Sequence, residues 1–297
     1  MRRRPELALI AGLGLLLATG GFAGEPAQLL GSHVLTRPGD PLFGGLSGIE
    51  VSETGDTVTL LSDRGSWTRG RLQRDAEGRI VAADLAPMQP LKGRGEAPLE
   101  RSRSDSEGLA IAADGAAYVS FEGAARVLRY RDLGGSAENL PVAPEFRRMQ
   151  GNGALEALAV DAEGTLYTLP ERSGGTTRPF PVYRFRDGEW DQPFSLPRED
   201  SFLPVGADIG PDGRFYLLER QFRGLLGFAS RVRRFAIDGD TISPGETLLQ
   251  TSAGTHDNLE GISVWRDAAG RLTLSLVADD NFAFFQSTQI VEYRIAD

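Results

Sequence analysis

The chain has 297 residues, 40% hydrophobic and 25% charged, which is ordinary globular composition with ample length for a core. Its formal net charge of −9 disfavours nucleic acid and anionic membranes as partners. The absence of cysteine excludes disulfides, zinc–thiolate sites and cysteine nucleophiles, and two histidines, His33 and His256, leave little scope for a multi-histidine metal centre.

Residues 1–24 read as an export signal. Arg2, Arg3 and Arg4 form a positive end, Leu7 to Leu17 an apolar core, and Ala18 to Gly24 a stretch rich in small residues, as cleavage requires. The apolar run is shorter than a stable membrane span, so the rest, 25–297, is expected as one domain in a bacterial periplasm or secreted. An uncleaved N-terminal anchor is the alternative.

Gln28 to Leu35 is expected as a strand, and Arg37-Pro38-Gly39-Asp40-Pro41 as a turn. A pattern then recurs. An apolar strand leads through a glycine turn to a second strand, then an acid, then a third strand. The copies begin LSGIEVSETG, EGLAIAADG, LEALAVDAEG, VGADIGPDG and LEGISVWRDAAG. The turn glycines Gly55, Gly115, Gly164, Gly213 and Gly270 recur about every fifty to sixty residues, the period of propeller blades. No long segment carries a helical period. The chain is therefore expected to be all-β, a propeller with five blades. A degenerate unit in the longer first interval would make six. The last repeat ends in a third strand, Gln289 to Ile295, so the strand near Leu29 to Leu35 is expected to close the ring as its fourth.

Two acidic slots follow from the repeat. Just past the second strands stand Asp63, Glu122, Glu171, Glu219 and either Asp279 or Asp280. At the start of the first strands stand Glu107, Glu156 and Glu260, with Ser47 and Val205 in the other two repeats, where Glu50 and Asp208 enter three residues later. Strands joined by a hairpin are antiparallel, so the start of one lies beside the end of the other. Both slots should fall at one end of the channel. Converging carboxylates repel unless a cation neutralises them. Oxygen-only ligation suits a divalent cation, calcium above magnesium for its looser geometry. Glu107, Glu156, Glu260, Glu122 and Asp280 are the expected metal ligands. The same acids read alternatively as a solvated rim or as braces for loops. Arg64, Arg172 and Arg220, each following a second-slot acid, would orient an anionic ester beside Asp63, Glu171 and Glu219, or pair with their neighbours. His256, four residues before Glu260, is a candidate general acid or an exposed loop residue.

The segments SEGL, NLEGI and LEAL, with the trailing SDRG, PER and LER, resemble the bacterial "esterase-like activity of phytase" family over about residues 40–295. The resemblance implies an exported β-propeller whose recurrent Glu and Asp residues act in phosphoester hydrolysis. It lands on Glu107, Glu156, Glu260 and the acids after the second strands. Ser47 and Val205 depart from the pattern and weaken any five-fold site. The expected partner is a small-molecule phosphoester, with no nucleic acid and a monomeric chain. The alternative is a non-catalytic, calcium-stabilised propeller that binds an envelope or extracellular ligand.

Overall fold

The computed structural model describes residues 27–149, 151, 153–282 and 286–296. The expected signal, 1–24, lies outside the described residues. Among the described residues, no helix is long and apolar enough to cross a membrane. The only helical pieces described are short 3-10 turns at Arg101–Arg103, Phe146–Arg148 and Gly224–Leu226.

Each repeat folds as an antiparallel four-stranded blade, and five blades make the propeller. Blade 1 runs outward through Leu46–Val51, Thr57–Ser62, Ser66–Arg74 and Ile80–Leu85. Blade 2 comprises Ser106–Ile111, Ala117–Phe121, Arg126–Tyr130 and Ala137–Asn139. Blade 3 comprises Leu155–Val160, Leu166–Pro170, Phe180–Arg186 and Glu189–Leu196. Blade 4 comprises Leu203–Ile209, Phe215–Phe222, Phe228–Phe235 and Glu246–Gln250. Blade 5 takes Asn258–Arg266, Leu272–Asp279 and Gln289–Arg294 from the end of the chain. Its outer strand, Gln28–Val34, comes from the N-terminal side and pairs antiparallel with Gln289–Arg294.

The core lies between blades rather than within them. Leu61 and Trp67 of blade 1 pack with Leu109, Val119 and Phe121 of blade 2. Ala110 and Val127 pack with Leu155 and Leu158, Leu169 and Phe180 with Leu217 and Phe235, Leu218 and Val232 with Leu274 and Leu276, and Val277 and Ile290 with Ile49 and Leu60. Both faces of each inner sheet are therefore covered. This is why Leu155–Val160 is buried throughout and reads, Glu156 apart, as an apolar run rather than an alternation.

One irregularity recurs at the start of all five inner strands. The register with the second strand shifts between Leu46 and Gly48, Ser106 and Leu109, Leu155 and Ala157, Pro204 and Gly206, and Leu259 and Gly261. Each shift is a β-bulge, which adds one residue and re-aims the side chain there. The bulges hold Ser47, Glu107, Glu156, Val205 and Glu260, the occupants of the first acidic slot. The small residue that follows has its own cause. A Cβ at Gly108 would lie 2.7 Å from Leu158 Cβ and 3.0 Å from the Glu156 carbonyl oxygen, and one at Gly206 would lie 2.6 Å from the Glu260 carbonyl oxygen. The glycines let adjacent inner strands close around the channel.

Candidate functional site

The register places both acidic slots at one mouth of the channel. Asn258 pairs with Asp279, Leu155 with Pro170 and Ser106 with Phe121, so inner-strand starts face second-strand ends. The mouth divides into two parts of different electrostatic character.

Blade 2 supplies the first. One carboxylate oxygen each from Asp105, Glu107 and Glu122 lie within 4.8 Å of one another. Burial pushes the Glu107 carboxyl well above its ordinary range, and the charges of Glu156, Glu260, Asp105 and Glu122 push it further. Desolvation also raises Asp105, against hydrogen bonds it shares with the carboxyls of Glu122 and Glu107. Burial raises Glu122, partly offset by the backbone N–H of Gly153, which donates to it. Carboxyls in such contact need either shared protons or a cation.

Blades 3, 4 and 5 supply the second part, and here the cation belongs to the chain. Arg220 Nη1 donates to Asn258 Oδ1 at 2.7 Å and to Glu260 Oε1, while its Nη2 reaches Glu171 Oε1 at 3.4 Å. Burial opposes the charge on Arg220. The carboxylates of Glu260, Glu156 and Glu171 outweigh it and hold the guanidinium pKa above its usual value. Burial raises Glu156 well above its ordinary range, and the nearby Glu171 adds to the rise against the pull of Arg220. Blade 4 carries Val205 where blades 2, 3 and 5 carry glutamate, and it is blade 4 that delivers the arginine. Along the rim between blades 5 and 1, Asp279 is pushed up to about 8 and Asp63 to about 6, in each case by burial first and then by the charge of Glu260. Gly45, with φ +59, lies under Asp63, whose carboxylate any Cβ there would strike.

Other expected site residues lie elsewhere or have other partners. Glu219 is fully buried and accepts from Arg231 Nε at 2.8 Å and from Arg233 Nε and Nη2 at 2.7 Å each. These arginines come from the third strand, outside the repeat pattern, and they make Glu219 a brace inside blade 4. Asp280 accepts from Gly45 N, Phe282 N and Thr288 Oγ1, so it ties loops together; Asp279 is the blade 5 acid that meets Asn258. Arg172 is exposed and pairs with Glu171 at 3.2 Å. Arg64 is exposed and stacks on the Phe282 ring. His256 bonds Tyr293 Oη through Nε2 at 2.5 Å, and burial lowers its pKa.

Asp105 and Asn258 were not singled out in the sequence. Each stands two residues before a slot glutamate, in D-x-E-G and N-x-E-G, and that shared offset was a usable signal.

Glu50 and Asp208 are directed to the opposite mouth. The bulge changes strand parity, so a residue three positions past it returns to the channel side. Glu50, Asp208 and Ser263 accordingly line a cavity of about 910 Å3 among the hairpin turns. They also satisfy exposed strand edges between blades: Ile111 N donates to Glu50, Val264 N to Asp208 and Val51 N to Ser263 Oγ.

The family described as "Phytase-like: Esterase-like activity of phytase" matches residues 41–282. Among curated proteins, none matches the chain in sequence. Of solved structures, an α-L-arabinofuranosidase of Podospora anserina is similar at 11% identity and TM-score 0.55, covering 92% of this chain and 98% of its own. A gluconolactonase of Xanthomonas campestris is similar at 16% identity and TM-score 0.46, covering 84% and 72%. A calcium-binding protein, regucalcin, of Agrobacterium tumefaciens is similar at 11% identity and TM-score 0.46, covering 84% and 90%. The first of these likenesses shows the fold alone, and the other two are too loose to carry any argument.

Proposed function

The chain belongs to the phytase-like family, and on that premise we propose that it is an exported, divalent-cation-dependent phosphoester hydrolase working at the acidic mouth of its channel. The observation that carries this reading is the blade 2 trio, Asp105, Glu107 and Glu122, with carboxylate oxygens within 4.8 Å and no arginine among their hydrogen-bond partners in the described residues. The donor set fits the group. Three hard oxygen ligands suit calcium or magnesium, and the raised carboxyl pKa values are what an unneutralised ligand cluster produces. A divalent cation bound there would supply positive charge to phosphoryl oxygens and acidify a water molecule.

The chain's own residues do the rest. Arg220, fixed by Glu171, Glu260 and Asn258, presents a guanidinium of set orientation at the same mouth. It would hold an anionic ester oxygen without being reorganised during reaction. Asp279 and Asp63, raised towards neutrality, are placed to hold or pass a proton along the rim between blades 5 and 1. Arg64 and Arg172 stand exposed at the edge and would steer the anion inward.

The test is release of phosphate or nitrophenol from phytate and from nitrophenyl phosphate mono- and diesters, with calcium and then with chelator. Calcium-dependent turnover that falls at least a hundredfold in Glu107→Gln supports the proposal. Turnover indifferent to chelator would remove the cation, and no turnover on any ester would remove the hydrolase. One observation favours the second reading, a non-catalytic calcium-stabilised binding propeller: the arginines that would grip the ester already have partners within the chain.

A further inference from the structure

Beyond the acidic mouth, on the same face, blade 4 extends a hairpin between its second and third strands. Its tip, Phe222-Arg223-Gly224-Leu225-Leu226-Gly227-Phe228, holds a concentration of apolar surface. Leu225 is fully exposed, Leu226 is 71% exposed and Phe222 67%, whereas the other exposed large apolar side chains are scattered over the chain. Scattered ones need no explanation; a contiguous group does. The tip is a built turn. Arg223 N donates to the Gly227 carbonyl at 2.8 Å, and Gly227 N to the Gly224 carbonyl at 3.0 Å. Gly224 and Gly227 take φ of +61 and +80, which a side chain would resist. Gly254 lies against Gly227 and donates to the Phe228 carbonyl at 2.9 Å, holding the hairpin over the segment that enters blade 5.

Beneath the tip is a cavity of about 760 Å3, within the range of small-molecule sites. Phe222, Leu225 and Phe228 give it an apolar wall, and His256, Asn281 and Gln286 a polar one. Two contacts link its lining to the acidic mouth. Phe228, tilted against Phe222 at 5.1 Å between ring centroids, also lies 5.8 Å below the Arg220 guanidinium. Asn281 donates its backbone N–H to Asp279.

We propose that this cavity seats the apolar arm, alkyl or aryl, of a small amphiphilic ester whose anionic end reaches Arg220 at the acidic mouth. This deepens the hydrolase reading and rests on it for the identity of the ester. A small molecule fits better than a lipid surface, because polar side chains converge on the cavity and the chain's charge of −9 opposes an anionic bilayer. Leu225 and Phe222 are specificity-determining residues in this assignment, closing over the arm while chemistry proceeds at the mouth.

The experiment compares methyl and octyl nitrophenyl phosphate diesters as substrates, and methyl and octyl phosphate as ligands by titration calorimetry, on the whole chain and on a Leu225→Ser/Leu226→Ser variant. The octyl compounds should show at least tenfold lower KM and Kd than the methyl compounds, and the gap should close in the variant. Because both leucines are exposed, the variant should fold. Equal KM and Kd for the two chain lengths, or a gap that survives in the variant, overturns the proposal. So does octyl phosphate that fails to compete while neutral phosphatidylcholine vesicles bind the hairpin. Chain-length-dependent binding without turnover on any ester leaves this site standing and removes the hydrolase. Turnover without chain-length dependence does the reverse.

Discussion

The Arg220 guanidinium donates to the Glu260 carboxylate across the boundary between blades 4 and 5, and from the same position it reaches Glu171 of blade 3. One side chain thus neutralises carboxylates of two neighbouring blades at the channel mouth. Among the described residues, no arginine is hydrogen-bonded to the acids of blade 2.

Replacing Arg220 with alanine should expose that dependence. Glu156, Glu171 and Glu260 would be left buried without compensation, a loss on the order of 3–5 kcal/mol. The pKa values of Glu156 and Glu260, already raised by burial, would rise further, so the folded state would hold protons that the unfolded chain releases. Stability would then fall as pH rises. Urea melts should show a large deficit at pH 8 that shrinks towards pH 5. A deficit independent of pH would mean that the arginine acts by packing alone.

Glu219 shares its slot with Glu171 but not its surroundings. Its replacement by alanine would take from Arg231 and Arg233 their fully buried partner and leave them the part-exposed Glu199. The cost should again be roughly 3–5 kcal/mol. Divalent-cation affinity of the folded protein, read by calorimetry, should stay within about twofold. A collapse of cation affinity with little change in stability would return Glu219 to the ligand set.

Gly108 separates the inner strands of blades 2 and 3. Alanine there must displace Leu158, Ser120 or the Glu156 backbone, and should cost about 1–3 kcal/mol by overpacking. Gly31, on the outer strand, would have nothing within 4 Å of an added Cβ. It is the control and should accept alanine with little change in Tm. Equal effects at the two sites would dismiss the close-approach account of the E-G pairs.

At the opposite mouth, burial lifts Asp208 to about 7, against the hydrogen bonds from Val264 and Ile209. Glu50 is raised well above its ordinary range, by burial first and then by Asp208. A raised folded pKa means that the folded chain keeps a proton the unfolded chain has lost. The contribution to stability is complete below pH about 4 and disappears as pH rises through about 7. At about 1.4 kcal/mol per unit, it amounts to roughly 4 kcal/mol. Asp208→Asn should therefore flatten the fall in stability between pH 4.5 and 8, measured by urea melts. Parallel curves for the two proteins would count against a protonated Asp208.

The sequence by itself determined the architecture and the end of the channel where the acids gather. Repeat period, turn glycines and apolar strands are local features, and a hairpin dictates which strand ends meet. The same locality explains what the sequence left open. Glu171 and Glu219 are equivalent in the repeat. Their difference comes from Arg231 and Arg233 on a third strand and from Arg220 reaching across blades, 49 residues from Glu171 and 40 from Glu260. Asp279 and Asp280 are neighbours in the chain; strand pairing with Asn258 turns one to the mouth, and loop hydrogen bonds claim the other. The trio of Asp105, Glu107 and Glu122 required a bulge to aim Glu107 and a second strand to bring Glu122 alongside. Charges choose partners by distance in space, and only the closed ring of blades sets those distances.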